Sequence, residues 1–396
     1  MDLPAGIINF NTRFNIMKTV KFGIIGAGLM GREFASACAR WCHLTEINAK
    51  PELVAVCDKN PALYPWYQNN FPSIKQVTDD YHQLLANPDV EAVYCAVPHN
   101  LHEQIYCDII KAGKHLLGEK PFGIDKKAND TIMECIKAHP EVTVRCSSEF
   151  PFYPPMQRIG QLLETDFFGP LIEVNSGFLH SSDLNPMKPI NWKRMIEFNG
   201  EYGCMGDLGM HACHFPFRAG FIPKNVRAIL SKLVKERPGK DGNMVPCLTW
   251  DNATLLCETA DPKTGDSFPL TIKTQRIAPG ETDTWYFEVK GMHGCARWTS
   301  KNPRRLELLE YKGGDQALQQ IDMGYESAFK TITGGIFEFG FTDSILQMWA
   351  SFITEITEGK PKGKFVSCVT PDEAALSHKL FTAALKSWKN GTLETL

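Results

Sequence analysis

The run with the clearest chemical meaning is Gly26-Ala27-Gly28-Leu29-Met30-Gly31, which follows the apolar segment VKFGII and opens a helical stretch. Glycines so spaced between a strand and a helix can cradle a dinucleotide. The first permits a tight turn, the second lets the backbone approach a pyrophosphate, and the third lets helix and strand pack closely while the helix N-terminus faces the anion. At the end of the next apolar run, LVAVCDKN, Asp58 stands where a carboxylate can accept hydrogen bonds from both ribose hydroxyls. Such a carboxylate repels a 2′-phosphate, so the pattern favours NAD over NADP, although Lys59 beside it softens the repulsion.

Two further runs end in polar groups. AVYCAVPHNLH supplies Ala96, Val97, Pro98, His99, Asn100 and His102, and HLLGEKP supplies Glu119 and Lys120. Both end expected strands of a parallel sheet, whose carboxyl ends line the ligand crevice, so these residues are assigned to the cofactor side. From there the Lys120 ammonium can reach a substrate oxygen. Much later, GEYGCMG precedes Asp207-Leu208-Gly209-Met210-His211. If Asp207 starts a helix, it and His211 share a face at i and i+4. His214 extends that face in a spacing a metal could use, but the reading adopted is that no metal is held. Trp192, Lys193 and Arg194 suit either a sugar-stacking wall or an exposed turn, and His180 and Asp183 share that ambiguity. His102 and His115 also fit packed structural roles.

These groups need elements to position them. From Val20 to about Ser147, short apolar runs alternate with helical stretches near Arg32–Trp41, Asp80–Leu85, Asn100–Ala112 and Lys126–Lys137. That alternation predicts a doubly wound parallel sheet. After Ser147, LIEVNSGF, VRAILSKLV, ATLLCET, LTIKTQRI, TWYFEVKG and RLELLEY are separated by turn residues without regular helices, which predicts a large, mostly antiparallel open sheet. Two amphipathic helices are expected near Thr342–Glu358 and Pro371–Lys389. The division expected is an N-terminal arm over residues 1–17, a Rossmann NAD-binding domain over 18–147 and an α+β substrate-binding domain over 148–396.

Composition narrows the rest. With 42 basic against 45 acidic side chains and no basic run, nucleic acid is excluded as an expected partner. No apolar stretch approaches the roughly 18 residues of a membrane span, and the first twenty residues lack a secretory pattern. The 13 cysteines sit in apolar segments without a CxxC pair, which suits reduced core thiols in the cytoplasm.

Gly26-x-Gly28-x-x-Gly31, Pro98-His99-Asn100-Leu101-His102, Gly113-Lys114-His115, Glu119-Lys120-Pro121 and Asp207-x-x-x-His211, in that order, resemble the glucose-fructose oxidoreductase, inositol dehydrogenase and MocA (Gfo/Idh/MocA) family from Lys18 to the end of the chain. The resemblance implies an NAD(P)-dependent dehydrogenase that moves a hydride between the nicotinamide and a hydroxyl carbon of a sugar, glycoside or cyclitol. It implies Lys120, Asp207 and His211 as the catalytic set. His211 would be the acid/base, with an ordinary histidine titrating near ~6.5; Lys120 would hold the reacting oxygen; Asp207 would bind a substrate hydroxyl and orient the imidazole. Tyr153, His180, Trp192 and Arg194 are further expected substrate contacts. A homodimer or homotetramer built on the outer face of the second sheet is also implied.

The sequence departs from the family where Phe150-Pro151-Phe152-Tyr153-Pro154-Pro155 stands in place of a segment that often carries a basic residue. Two alternatives remain: an NAD-dependent glycosidase that oxidises its sugar transiently, and a sugar sensor that binds dinucleotide without turnover. Gly209-Met210-His211 replaces the longer glycine run usual in the former. Retention of Lys120, Asp207 and His211 argues against the latter.

Overall fold

Six short apolar runs form the first sheet of the computed structural model, which describes residues 17–324 and 327–396. The arm expected over residues 1–17 lies outside the described residues except for Met17. Strands β1 (Lys18–Ile25), β2 (Ala49–Cys57), β3 (Gln76–Thr78), β4 (Ala92–Cys95), β5 (His115–Gly118) and β6 (Val144–Cys146) pair in parallel in the order β3-β2-β1-β4-β5-β6. The winding reverses between β1 and β4, and a crevice opens there beyond the carboxyl ends. Helices Leu29–Ala39, His102–Lys111 and Lys126–Ala138 lie close to the expected positions.

The second sheet has nine strands: β7 (Leu171–His180), β8 (Asn225–Ser231), β11 (Asn252–Ala260), β12 (Ser267–Gln275), β13 (Asp283–Gly291), β14 (Gly294–Thr299), β15 (Arg305–Glu310), β16 (Gln319–Asp322) and β17 (Glu394–Thr395). A separate hairpin joins β9 (Glu236–Pro238) to β10 (Met244–Pro246). The sheet order is β16-β15-β14-β13-β7-β12-β11-β8-β17, antiparallel throughout except where β12 runs parallel to β7. Strict alternation explains its two faces. Leu255 and Cys257, Leu270 and Ile272, and Trp285 and Phe287 point into a core shared with helices Met210–Ala219 and Pro371–Asn390, while Ile229 and Leu256 face outward.

Helix Phe341–Glu358 follows the second sheet in the chain yet packs on the first unit. Trp349 stacks on Phe34 with centroids 3.3 Å apart and meets Phe22 edge-on at 5.5 Å. Ile345, Phe352 and Ile353 complete the apolar stripe that buries this helix. No described helix is long and apolar enough to cross a membrane. Among the described residues all 13 cysteines are free, and nine of them are buried.

Burial also governs the histidines. His102, His214 and His378 are buried, and desolvation lowers them to about 3, about 3 and about 4. His99 and His211 are held well below 6.5, again chiefly by burial. Below pH 6.5 the unfolded chain takes up protons that these sites refuse, so stability falls with falling pH by up to about 1.4 kcal/mol per histidine per pH unit. Glu149, raised to about 8 by burial and Glu119, acts oppositely: its contribution is complete below 4.5 and fades as pH rises towards 8. Five histidines outweigh it. The melting temperature should therefore be lower at about pH 5 than at about pH 7.5; a flat or inverted profile would mean that these imidazoles are hydrated.

Candidate active site

The cofactor end begins where β1 stops. Gly26, with φ of 96°, donates its N–H to the Cys57 carbonyl at 2.9 Å. A Cβ there would lie 2.3 Å from the Ala96 carbonyl oxygen, so only glycine lets the ends of β1 and β4 approach this closely. Gly31 has a similar constraint against the Gly26 carbonyl. Gly28 is the opposite case: a Cβ on it would meet no atom within 4 Å, because it faces the cleft. The helix that follows has no side-chain cap and no acid in its first turn, which leaves its N-terminal N–H groups for an anion. Asp58 closes the turn, accepting from Ala27 N–H at 2.7 Å and Asn60 N–H at 2.8 Å. This cradle fits a dinucleotide: its glycines keep backbone and N–H groups bare where a pyrophosphate would lie.

A cleft of about 520 Å³ extends from this turn into the gap between the two sheets. Gly28, Leu29, Met30, Ala96, Val97, Pro98, His99, Glu119 and Lys120 line it from the first unit; Phe178, His180, Trp192, Lys193, Asp207, Leu208, His211, Arg276 and Asp283 line it from the second. Glu149 and Phe341 complete the wall. Lys120, at the end of β5, donates to Asp207 Oδ1 at 2.9 Å and so bridges the two units. Lys193 approaches the same oxygen at 3.1 Å, and Arg276 pairs with the other.

The local structure around Asp207 differs from the expectation. Residues Met205–Gly209 form one π turn, and the regular helix runs only from Met210 to Ala219. Asp207 and His211 still share the cleft, but they do not touch. The Asp207 oxygens are taken by cations, and the imidazole is oriented by other groups. Ser148 Oγ lies 3.0 Å from His211 Nδ1, the rings of Phe150 and Phe178 clamp it edge-to-face with centroids 5.4 Å away, and the Trp285 indole N–H donates to the His211 carbonyl. Nor does His211 titrate near its ordinary value. Burial, reinforced by the charge of Lys120, keeps it neutral at neutral pH.

Several expected contacts point elsewhere. Arg194 is 1% exposed, paired with Asp183 at 2.5 Å and Asp251 at 2.7 Å. It ends a 3₁₀ turn, Trp192–Arg194, in which successive side chains diverge by about 120°, so Trp192 and Lys193 face the cleft and Arg194 turns inward. Tyr153 is buried against Trp298 and Phe339. His102 packs on Tyr106 and bonds the Val97 carbonyl at 3.0 Å, which holds it beneath the cleft wall. Asn100 is exposed and off the cleft. His214 faces Glu373 and Arg218 rather than His211's cavity. His180 is on the cleft, paired with Asp283 at 3.0 Å. The glycine turn and the strand-end residues Ala96–His99, Glu119 and Lys120 do converge with Trp192, Asp207 and His211. Ser148, Glu149, Phe178 and Arg276 were not found from sequence. The first two follow the last strand of a parallel sheet, a signal that could have marked them.

Residues 20–146 match the model of an oxidoreductase family with an NAD-binding Rossmann fold, Gfo/Idh/MocA. The match covers the first sheet and its helices. It is similar to levoglucosan dehydrogenase of Pseudarthrobacter phenanthrenivorans, 23% identical over 315 residues, which cover 76% of this chain and 78% of that protein. It is also similar to inositol 2-dehydrogenase of Rhizobium meliloti, 24% identical over 293 residues that cover 73% and 78% of the two chains. The solved structure of levoglucosan dehydrogenase with NADH and L-sorbose superposes with a TM-score of 0.84 at 20% identity, covering 96% of this chain and 99% of that one, a likeness of fold. The first unit is thus an NAD-binding Rossmann domain.

Because Gly28 faces open space, Gly28→Ala should leave the melting temperature unchanged and weaken NAD binding by about tenfold or more. Asp58→Asn keeps an acceptor for the Ala27 N–H but removes the charge, so it should narrow the preference for NAD over NADP. Calorimetric titration measures both, and equal wild-type affinities for the two dinucleotides would contradict the role of Asp58.

Proposed function

We propose that this protein is an NAD-dependent dehydrogenase acting on a hydroxyl carbon of a sugar, glycoside or cyclitol. The observation that carries the reading is the meeting of Lys120, beyond the end of β5, and His211, on the helix under the second sheet, in one cleft bordered by Gly28, Leu29 and Met30. The names of the related dehydrogenases, for levoglucosan and inositol, point to the same substrate class.

Bound NAD would supply the two-electron acceptor. The protein's task is then to hold the alcohol and remove its proton. Lys120 is suited to the first. Its ammonium is fixed by Asp207 and partly exposed to the cleft, where it can bind the reacting oxygen and stabilise alkoxide character. Its pKa is lowered from 10.5, chiefly by burial, which brings its proton affinity nearer to that of a working acid. His211 is suited to the second. For Nε2 to accept the hydroxyl proton, Nδ1 must carry the ring hydrogen and donate it to Ser148 Oγ. The depressed pKa of His211 means that the proton is not retained, so the site resets by release to water. Trp192 and Phe178 offer apolar ring faces to a substrate's C–H surface. The outward face of the nine-stranded sheet is the surface proposed for homo-oligomer formation.

His211→Ala should slow single-turnover NADH formation by about a hundredfold to ten-thousandfold, with NAD affinity nearly intact. Lys120→Ala should be at least as damaging, and the double variant should cost less than the two losses combined, because both groups serve one transition state. Activity should survive EDTA. A His211→Ala enzyme that keeps most of its rate would transfer the proton role to another group on the cleft.

A further inference from the structure

The reaction outlined above uses Lys120 and His211 but gives no task to Lys193, although the protein spends a buried carboxylate on it. Lys120 Nζ and Lys193 Nζ share one oxygen of Asp207, at 2.9 and 3.1 Å, while Arg276 occupies the other. Asp207 is 1% exposed, whereas Lys193 is 31% exposed. The carboxylate therefore lies beneath, and the ammonium group of Lys193 meets the cleft.

At Asp207 three cations share one carboxylate. The nearby acids are engaged. Asp183 is paired with Arg194 and Lys188, and Asp251 with Arg194 and the N–H groups of Leu233 and Val234. Glu119 accepts the hydroxyls of Tyr94 and Ser147, and Asp283 pairs with His180. Glu149 is raised to about 8 by burial and Glu119, so at neutral pH it carries a proton and no charge. Lys193 thus shares its one paired carboxylate with Lys120 and Arg276, whose charges add to burial in disfavouring its ammonium form, and it lines the space where the substrate would lie. A ligand that presents only hydroxyls offers it dipoles, but a carboxylate would favour its charged form and accept charge-assisted hydrogen bonds from it. A phosphate dianion fits less well than a carboxylate, since it brings about twice the negative charge towards Asp207, Glu119 and Asp283 on the same cleft.

We propose that the substrate is a sugar acid, a polyhydroxylated molecule with a carboxylate near the oxidised hydroxyl, and that Lys193 is the residue that selects it. The inference rests on the dehydrogenase reading above and narrows its substrate class.

The test uses the full chain with NAD. NADH formation is compared for D-gluconate, D-galactonate, D-glucuronate and D-galacturonate, for glucose, galactose and myo-inositol, and for glucose 6-phosphate. At least one acid should exceed every other compound in kcat/KM by about tenfold or more. Lys193→Met, which keeps length but not charge, should reduce the acid-to-neutral ratio by at least about tenfold, mainly through KM, and Lys193→Arg should restore most of it. If neutral sugars or the phosphate are oxidised as well as the acids, the inference fails while the dehydrogenase reading stands. If no compound reduces NAD, the dehydrogenase reading loses its support, and calorimetric titration of the same four acids into the NADH-loaded protein decides the anion site by itself. Binding at least about tenfold tighter to wild type than to Lys193→Met supports it; equal or absent binding overturns it.

Discussion

The ion pair between Lys120 and Asp207 is the contact on which the site depends. It joins the end of a parallel strand to a π turn that leads into a helix under the second sheet, and thereby fixes the spacing between the two halves of the cleft. An ion pair so little exposed costs several kcal/mol of desolvation per charge, and removing one partner typically costs about 3–5 kcal/mol, so it is poor value as a stabiliser. Its worth lies in position. Around it the cleft has two kinds of wall: bare backbone and helix N–H groups on the dinucleotide side, and paired charges with aromatic faces on the other.

The His211 environment follows the same logic of fixed geometry at the expense of solvation. Two aromatic rings, a serine hydroxyl and an indole N–H to its own carbonyl leave the ring little freedom. Water is excluded enough to keep it neutral. A base held this way gives up strength for orientation and for rapid loss of the proton it accepts. Ser148 is central to this arrangement because its hydroxyl holds Nδ1 and can accept the ring hydrogen there, which leaves Nε2 free.

How much could be read in advance depended on the range of each interaction. The glycine turn, Asp58 and Lys120 were legible because a strand, a turn and a helix within one βαβ unit fix them locally. The two sheets and the closing helices were legible from periodicity. Arg194 was misassigned in favour of its neighbour because a single 3₁₀ turn decides which side chain faces inward, and no periodic pattern marks so short an element. Ser148 and Arg276 act on residues 63 and 69 positions away, His211 and Asp207, through tertiary packing that composition and spacing do not encode. The titration of His211 was misjudged for the same reason: the rings that desolvate it come from Phe150 and Phe178, on separate elements.

Helix Phe341–Glu358 carries a consequence for how the molecule is made. Phe22 and Phe34, in the first strand and first helix, are covered by Trp349, more than three hundred positions later. A ribosome that has released the whole parallel sheet has therefore not yet supplied the side chain that seals its core. Until Trp349 emerges, the nascent chain exposes an aromatic patch to solvent, a surface that chaperones bind and that favours mispairing between neighbouring chains on a polysome. The cofactor unit comes first in sequence but is among the last parts to be finished.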